Sequence, residues 1–226
     1  MGNKIRPSQQ FHISVEGDTE ALYFEHLQKL VNECEDMEYK LKLIIKKINP
    51  ISFIKNIVST QMRSIRAFHI FDYEGNTKEY IGNFENIVKK INEANELKKD
   101  GIEYYKIGYS NLSFELWILL HKINLTSPIS TKDNYLFHIN KNFAPHQKVK
   151  HISDYKQKRY FERQILSKIK LSDVLMAIEF AKEIETKNYL DKKCKEIADF
   201  KFYPDNPDLT VHKCVEEILI SCVVKR

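Results

Sequence analysis

The segment FHISVEGDTE, residues 11–20, begins with a short apolar stretch and ends in a turn that carries several acidic residues. Residues 11–15 predict a β-strand, and Asp18 or Thr19 is placed to cap the helix that follows. Apolar residues recur at roughly helical spacing in that helix: Leu22, Phe24, Leu27, Leu30 and Val31. The segment therefore predicts a strand–turn–helix unit, with Glu16 at the carboxyl end of the strand and Glu20 in the first turn of the helix.

Strands and helices keep alternating after this unit. Further strands are predicted at residues 40–48, 67–71 and 102–109, and helices at 50–62, 78–98 and 114–121. This alternation is typical of βαβ units, whose parallel sheet is covered by helices on both faces. We therefore predict an α/β fold.

The pattern weakens after residue 124. Residues 125–153 show little periodicity, residues 154–199 are predicted to be helical, and residues 209–223 form a last predicted helix. We expect a core domain over residues 1–124. Residues 125–226 would form a mainly helical, basic C-terminal region packed on that core.

Composition excludes several classes of protein. The chain has 226 residues, of which 42% are hydrophobic, enough for one large domain or one domain with an appended lobe. It has no run of about 18 apolar residues that would cross a membrane, and the polar start MGNKIRPSQQ is unlike a secretory signal. The four cysteines show no C-x-x-C pairing, which favours reduced thiols in a cytosol. We expect a cytoplasmic protein.

Positive charge is concentrated in residues 146–170. The chain carries a net charge of +5, whereas this segment alone has eight Lys or Arg against two acidic residues. Lysine and arginine neutralise phosphates, and the interleaved Tyr155, Tyr160 and Phe161 could stack on unpaired bases. The candidate nucleic-acid-binding residues are Lys148, Lys150, Lys156, Lys158, Arg159 and Arg163. The alternative is a solvated helix face whose aromatic residues point into the core.

Polar side chains follow three of the predicted strands. Glu16 follows the first strand, Asp72 and Glu74 the third, and Asn111 the fourth, while Glu115 lies one turn into the next helix. Open α/β sheets bind ligands beyond the carboxyl ends of their strands. Crowded carboxylates repel one another, and Mg²⁺ or Mn²⁺, which take oxygen ligands, would neutralise them. A single acid in such a place is more often a helix cap or a solvated loop charge, so the residues alone leave both interpretations open.

Four segments resemble motifs of the RloB-like group of Toprim-fold proteins. They are V-E-G-D-T-E-x-x-Y-F at residues 15–24, F-D-Y-E at 71–74, S-N-L-S-F-E-L-W-I-L-L-H at 110–121, and N-P-x-x-T-V-H-x-x-V at 206–215. The third is the closest match, position by position. Two residues depart from the pattern: Glu74 replaces the second Asp of D-x-D, and Leu112 stands where the group often has Pro.

The resemblance implies a Toprim catalytic core and a divalent-metal-dependent nuclease that acts as an effector of bacterial antiphage defence by abortive infection. The implied partners are nucleic acid, either DNA or RNA, and an ATPase encoded nearby. Glu16 would be the catalytic acid or base, and Asp72 and Glu74 would join it in holding Mg²⁺ or Mn²⁺. Glu20, Asn111 and Glu115 would support the site. One lysine of the basic segment, such as Lys148 or Lys150, could reach the metal edge.

Two other functions stay open at this stage. The first is a non-catalytic Toprim-like partner subunit that binds an ATPase or nucleic acid, a hypothesis motivated by the Glu74 departure. The second is a phosphatase or phosphotransferase with Asp72 as nucleophile, which would need further motifs that we do not find in the sequence. The histidines and serines lack the spacing of a metal site or of a catalytic triad.

Overall fold

The computed structural model describes residues 6–58, 64–96, 102–129, 131–191, 194–204 and 207–223. Within these ranges the main sheet has four parallel strands in the order β2-β1-β3-β4. The strands are β1 (Ser8–Val15), β2 (Lys40–Lys47), β3 (Ile65–Tyr73) and β4 (Ile102–Asn111). They are connected by α1 (Asp18–Glu33), α2 (Pro50–Val58) and α3 (Lys78–Glu96). The predicted α/β fold with a parallel sheet is confirmed.

Each strand reflects its position in the sheet. The central strand β3 is buried without interruption from Ala67 to Phe71, as expected where helices cover both faces. The edge strand β2 instead exposes Lys42, Lys46 and Lys47, and charged side chains protect a free edge from unwanted pairing. At the opposite edge, Leu209 forms an antiparallel bridge with Ser110 of β4.

The two faces of the sheet build separate cores. On one face Phe11, Ile13 and Val15 of β1 pack with Phe68 and Ile70 of β3, under α1 and the later helices. The other face carries two smaller clusters, which α2 and α3 cover; their members include Phe53, Ala67, Tyr105, Phe71, Tyr73 and Phe84. Because side chains alternate along a strand, this division decides on which side each functional residue emerges.

The rest of the chain is mainly helical and packs back on the sheet. It comprises α4 (Glu115–Leu120), α5 (Lys132–Asn142), α6 (Ile152–Tyr155), α7 (Lys158–Tyr160), a π-helical turn (Phe161–Ile165), a 3-10 turn (Leu166–Lys168), α8 (Leu171–Asp191), the antiparallel pair β5 (Lys195–Ile197) and β6 (Phe200–Phe202), and α9 (Val211–Cys222). The largest core cluster contains residues from both halves of the chain. The boundary at residue 124 stays a prediction.

A glycine lets α9 approach β4. A Cβ atom on Gly108 would lie 2.6 Å from Ile70 Cδ1 and 2.9 Å from Cys214 Sγ. Neither gap is wide enough for a side chain, so Gly108 is required by the close contact between β4 and α9.

The predicted mainly helical C-terminal region is confirmed, with two differences in detail. Residues 125–153, which show little periodicity in the sequence, contain α5. Residues 154–199, expected to be helical, are interrupted at Ile169, which is extended, and end in β5. The Asp173 carboxylate accepts the backbone N–H of Lys170 at 2.8 Å and so starts α8 as a new helix. The predicted ends of the second helix, after residue 58, and of the third, after residue 96, lie outside the described residues.

Within the described ranges, each helix is too short or too polar to cross a lipid bilayer. Cys34, Cys194, Cys214 and Cys222 are free thiols in the structure.

Candidate active site at the carboxyl edge of the sheet

The strand register brings the predicted acidic residues to one edge. Val15 pairs with Ile70, and Asp72 pairs with Ser110, so Glu16 follows β1 beside the end of β3. Glu16, Asp72 and Glu74 together line two adjoining cavities of about 250 Å³ and about 290 Å³. The first cavity opens towards α3, and the second also includes Glu20 and Lys156.

The carboxylates are not preorganised to coordinate a metal ion. Glu16 lies on the α3 side, 3.9 Å from His69, whereas strand alternation places Asp72 on the α1 side with Phe68 and Ile70. In the described part of the chain, no group of three or more His, Cys, Asp or Glu side chains is arranged to hold a metal ion. The three residues that line both cavities, Glu16, Asp72 and Glu74, offer carboxylate oxygens, which are ligands that Mg²⁺ and Mn²⁺ prefer. Glu16 is about half-exposed and Glu74 is exposed, so both side chains have room to rotate towards an ion.

Glu16 has a shifted protonation equilibrium. Burial raises the pKa of the Glu16 carboxyl above its usual range, and the neighbouring charge of Glu74 adds to the effect, while Lys90 opposes it. Both causes disfavour the ionised form. A nearby cation would reverse the shift, so Glu16 is suited either to bind a metal or to accept a proton.

Glu20 is folded back into the protein over Gly17. A Cβ atom on Gly17 would collide with the Glu20 carboxylate, so glycine at this position leaves space for it. Only 5% of Glu20 is exposed, and its Oε2 atom has no hydrogen-bond partner among the described residues. Burial raises the pKa of Glu20 to about 7, with Glu115 and Glu16 adding to the rise and Lys156 opposing it. Glu20 therefore titrates near neutral pH.

Lys156, and neither Lys148 nor Lys150, lines the second cavity. Its Nζ atom lies 3.4 Å from Glu115 Oε1, and Glu115 is almost fully buried. Burial lowers the pKa of Lys156, but Glu115, Asp72 and Glu20 outweigh burial and the net pKa is raised. The ammonium group therefore stays charged and compensates the buried carboxylates. The sequence places Lys156 among candidate nucleic-acid-binding residues, and the structure adds this contact with the acidic edge.

The remainder of the basic segment has two kinds of residue. Its cations are exposed, both the candidate nucleic-acid-binding residues Lys148, Lys150, Lys158, Arg159 and Arg163 and the two lysines that follow them, Lys168 and Lys170. The aromatic residues do not share their exposure, because Tyr155 and Phe161 are fully buried in the main core and Tyr160 is half-buried. Tyr155 and Phe161 therefore cannot stack on bases, and the expectation that they face the core is the right one for both.

Asn111 faces away from the two cavities. Its side-chain amide donates hydrogen bonds to the backbone carbonyls of Tyr203 and Pro204 at 2.7 and 3.1 Å. Its own carbonyl accepts a hydrogen bond from Tyr135. Asn111, predicted to support the site, instead joins the end of β4 by hydrogen bonds to the segment that leads into α9.

The closing segment contributes a buried polar network to the same junction. The Asp208 carboxylate accepts hydrogen bonds from the Tyr109 hydroxyl and from the Asn188 side-chain amide. Burial raises the pKa of Asp208 to about 7. Thr210 donates to the Ile107 carbonyl. The described part of the closing motif therefore holds β4 in place, whereas Asn206 lies outside the described residues.

His69 is a neighbour of Glu16 that the sequence analysis did not select. It is fully buried in β3, its Nδ1 atom lies 2.8 Å from the Ser14 hydroxyl, and its Nε2 atom faces Glu16. The sequence does contain a feature that could have identified it: a histidine inside the apolar stretch Ala67–Phe71. The strand register then places Ser14 of β1 opposite this histidine.

The chain is therefore an α/β protein whose parallel sheet presents acidic side chains, with Lys156 beside them, beyond the carboxyl ends of its central strands. The family model described as RloB-like protein matches residues 11–218, which is most of the chain, and the chain belongs to the RloB-like family. No curated protein and no solved structure matches the chain.

Proposed function

We propose that this RloB-like protein is a divalent-metal-dependent nuclease with a Toprim-type catalytic core. It would act as the effector of a bacterial abortive-infection system together with an ATPase partner. The observation that carries the proposal is the shared cavity at the carboxyl edge, which Glu16, Asp72 and Glu74 line together with Lys156. Carboxylates that hold a metal ion beside an ammonium group suit the handling of a phosphodiester, whose reaction develops negative charge on oxygen.

Each group has a role in this proposal. Asp72 and Glu74, with Glu16, would hold Mg²⁺ or Mn²⁺, and the bound ion would polarise a phosphodiester oxygen. When Glu16 is not itself bound to the ion, it would take the proton from the attacking water, and burial, which raises its pKa, favours that role. Lys156 would stabilise charge on a non-bridging oxygen, because its ammonium group lines the same cavity.

The exposed cations Lys148, Lys150, Lys158, Arg159 and Arg163 would hold the nucleic-acid backbone through its phosphates, without reading bases. Such contacts weaken steeply as salt concentration rises. This part of the proposal is tested by measuring the salt dependence of DNA and RNA binding for the parent and for Lys148→Gln/Lys150→Gln.

The catalytic proposal is tested by cleavage assays on the full chain, with and without the neighbouring ATPase. DNA and RNA substrates are compared in Mg²⁺, in Mn²⁺ and with a chelator. We expect metal-dependent cleavage, reduced about 100-fold or more by Glu16→Gln and by Asp72→Asn. Glu79→Gln, an exposed acid at the start of α3, is the control and should cut like the parent. Equal cleavage by Glu16→Gln, Asp72→Asn and the parent would show that the site is wrongly placed.

A second candidate is a non-catalytic partner subunit that binds an ATPase or nucleic acid. It is favoured by one observation: the described residues contain no preformed group of three metal-binding side chains. Under this alternative, calorimetry would detect complex formation with the ATPase but no binding of Mg²⁺ or Mn²⁺.

A further inference from the structure

Ser14, His69 and Tyr105 form a buried polar cluster directly behind Glu16. Ser14 of β1 and His69 of β3 are register partners, and both side chains are fully buried. The Ser14 hydroxyl lies 2.8 Å from His69 Nδ1 and 2.6 Å from the Tyr105 hydroxyl. The three strands β1, β3 and β4 therefore each contribute one polar side chain to this buried cluster.

The protons in this cluster have two possible arrangements. In the first, Tyr105 donates to Ser14 and Ser14 donates to His69 Nδ1, which leaves the histidine proton on Nε2. In the second, Nδ1 carries the proton and donates to Ser14, while Ser14 turns to the more distant Phe68 carbonyl at 3.3 Å. The second arrangement would also point the unprotonated Nε2 atom of His69 at the Glu16 carboxylate, so that lone pairs on the two groups would repel each other. Glu16 therefore selects the first arrangement, with a proton on Nε2.

Among the described residues, the group nearest to the unpaired Nε2 atom of His69 that could accept its proton is Glu16. The Nε2 atom lies 3.9 Å from Glu16 Oε1 and has no hydrogen-bond partner among the described residues. A buried N–H group without a partner is unfavourable, and Glu16 is mobile enough to supply one because its side chain is 49% exposed. The observed 3.9 Å is about 1 Å longer than an N–H···O hydrogen bond, so only a small movement of the Glu16 side chain is needed to form one.

The imidazole acts as a neutral donor. The ring is fully buried between β-strands, and a buried site without a paired charge favours the neutral imidazole. A neutral donor orients a carboxylate without neutralising it, so Glu16 keeps its negative charge for other partners.

We infer that His69 is a positioning residue for Glu16: its Nε2–H, held in that tautomer by Ser14 and Tyr105, directs the Glu16 carboxylate at the edge of the sheet. The contact itself does not depend on a metal. Its consequence, that His69 strengthens the binding of Mg²⁺ or Mn²⁺ through Glu16, rests on the proposed function. Groups that orient a metal ligand in this way commonly change affinity 10- to 100-fold, as an order of magnitude.

The first measurement uses the full-length protein without metal. Nitrogen-15 NMR of the histidine rings identifies the tautomer, and His69→Phe assigns the signal. We expect the Nε2–H form in the parent, a shift of its signal in Glu16→Gln, and a gain of the Nδ1–H form in Ser14→Ala. An Nδ1–H ring in the parent would overturn the inference, whatever the protein's activity.

The second measurement is the affinity for Mn²⁺ by calorimetry. His69→Phe should bind Mn²⁺ about 10- to 100-fold more weakly than the parent, and His69→Gln, which restores a donor, should recover most of the loss. The matched control is His12→Phe. His12 is a buried histidine on the same face of β1 as Ser14, and it packs on Phe53 away from Glu16.

The two measurements separate the two ideas. If folded His69→Phe binds Mn²⁺ as tightly as the parent, the positioning role is wrong. If the parent binds no Mn²⁺ but shows the Nε2–H ring and its response to Glu16→Gln, the proposed function fails and the contact stands.

Discussion

Replacing Glu20 by Gln should stabilise the protein at alkaline pH. The Glu20 carboxyl is 5% exposed, and burial raises its pKa from the usual 4.5 to about 7. A carboxyl whose pKa is raised on folding binds its proton more tightly in the folded state than in the unfolded state. Its stabilising contribution is therefore complete below pH 4.5 and is lost as the pH rises through about 7.

The size of the effect follows from these values. Each pKa unit corresponds to about 1.4 kcal/mol, so ionising Glu20 lowers the free energy of unfolding by about 3 kcal/mol at pH 8. Glutamine keeps the shape of the protonated carboxyl and cannot ionise. We expect Glu20→Gln to be more stable than the parent by about 3 kcal/mol at pH 8 and by less than about 1 kcal/mol at pH 5.

The assay is urea unfolding followed by circular dichroism at pH 5 and pH 8, in the presence of a chelator. Glu25→Gln, an exposed substitution on the same helix, is the control and should stay within about 0.5 kcal/mol of the parent at both pH values. The reasoning is refuted if Glu20→Gln gains no stability at pH 8, or gains the same amount at pH 5.

Two further substitutions test the surroundings of the site. Lys156→Met should lower the free energy of unfolding by about 1–3 kcal/mol at pH 8. The attraction between Lys156 and Glu115 at 3.4 Å is about 5 kcal/mol before screening, and solvent reduces it because the lysine side chain is 44% exposed. Lys158→Met is the control: it breaks only the exposed pair with Glu162, and it should change the free energy of unfolding by less than about 0.5 kcal/mol in the same assay. Leu112→Pro should cost about 3 kcal/mol in thermal or urea unfolding, because proline cannot adopt the φ of 59° at this position and would lose the hydrogen bond from Leu112 N–H to the Tyr73 carbonyl. A fully stable Leu112→Pro protein would contradict this backbone geometry.

The conformation of Leu112 also bears on a departure from the family pattern. The RloB-like group that this segment resembles often has Pro where this chain has Leu112, and proline requires a negative φ. The left-handed conformation of this residue is therefore a property of this chain, in which leucine stands in place of proline. That turn places Ser113 and α4 directly after β4.

Much of the sheet could be predicted because its signals are local. The stretch from Ala67 to Phe71 is apolar and short, and glycine or acidic residues follow it at once, which is typical of a buried parallel strand. The carboxyl ends of parallel strands meet at one edge. The neighbourhood of Glu16 and Asp72 therefore follows from the strand order without any side-chain detail.

The C-terminal half was harder because its signals conflict. The apolar stripe that includes Ile165 and Ile169 continues into α8, so periodicity predicts one helix. The helix is instead interrupted before α8, where the Asp173 carboxylate accepts hydrogen bonds from the backbone N–H of Lys170 and from the ammonium group of Lys122. Lys122 lies far from Asp173 in the chain, and a contact of that kind leaves no periodic signal.

The sequence by itself determined the α/β class, the acidic edge and the membership in the RloB-like family, because each rests on local pattern or on short motifs. Only the tertiary structure decided that Lys156 joins Glu115 at this edge, that Asn111 fastens β4 instead of lining the cavity, and that His69 stands behind Glu16. These contacts join residues that are distant in the chain. Which side chains meet depends on strand register and on how the helices pack, and neither property is written in any one segment of the chain.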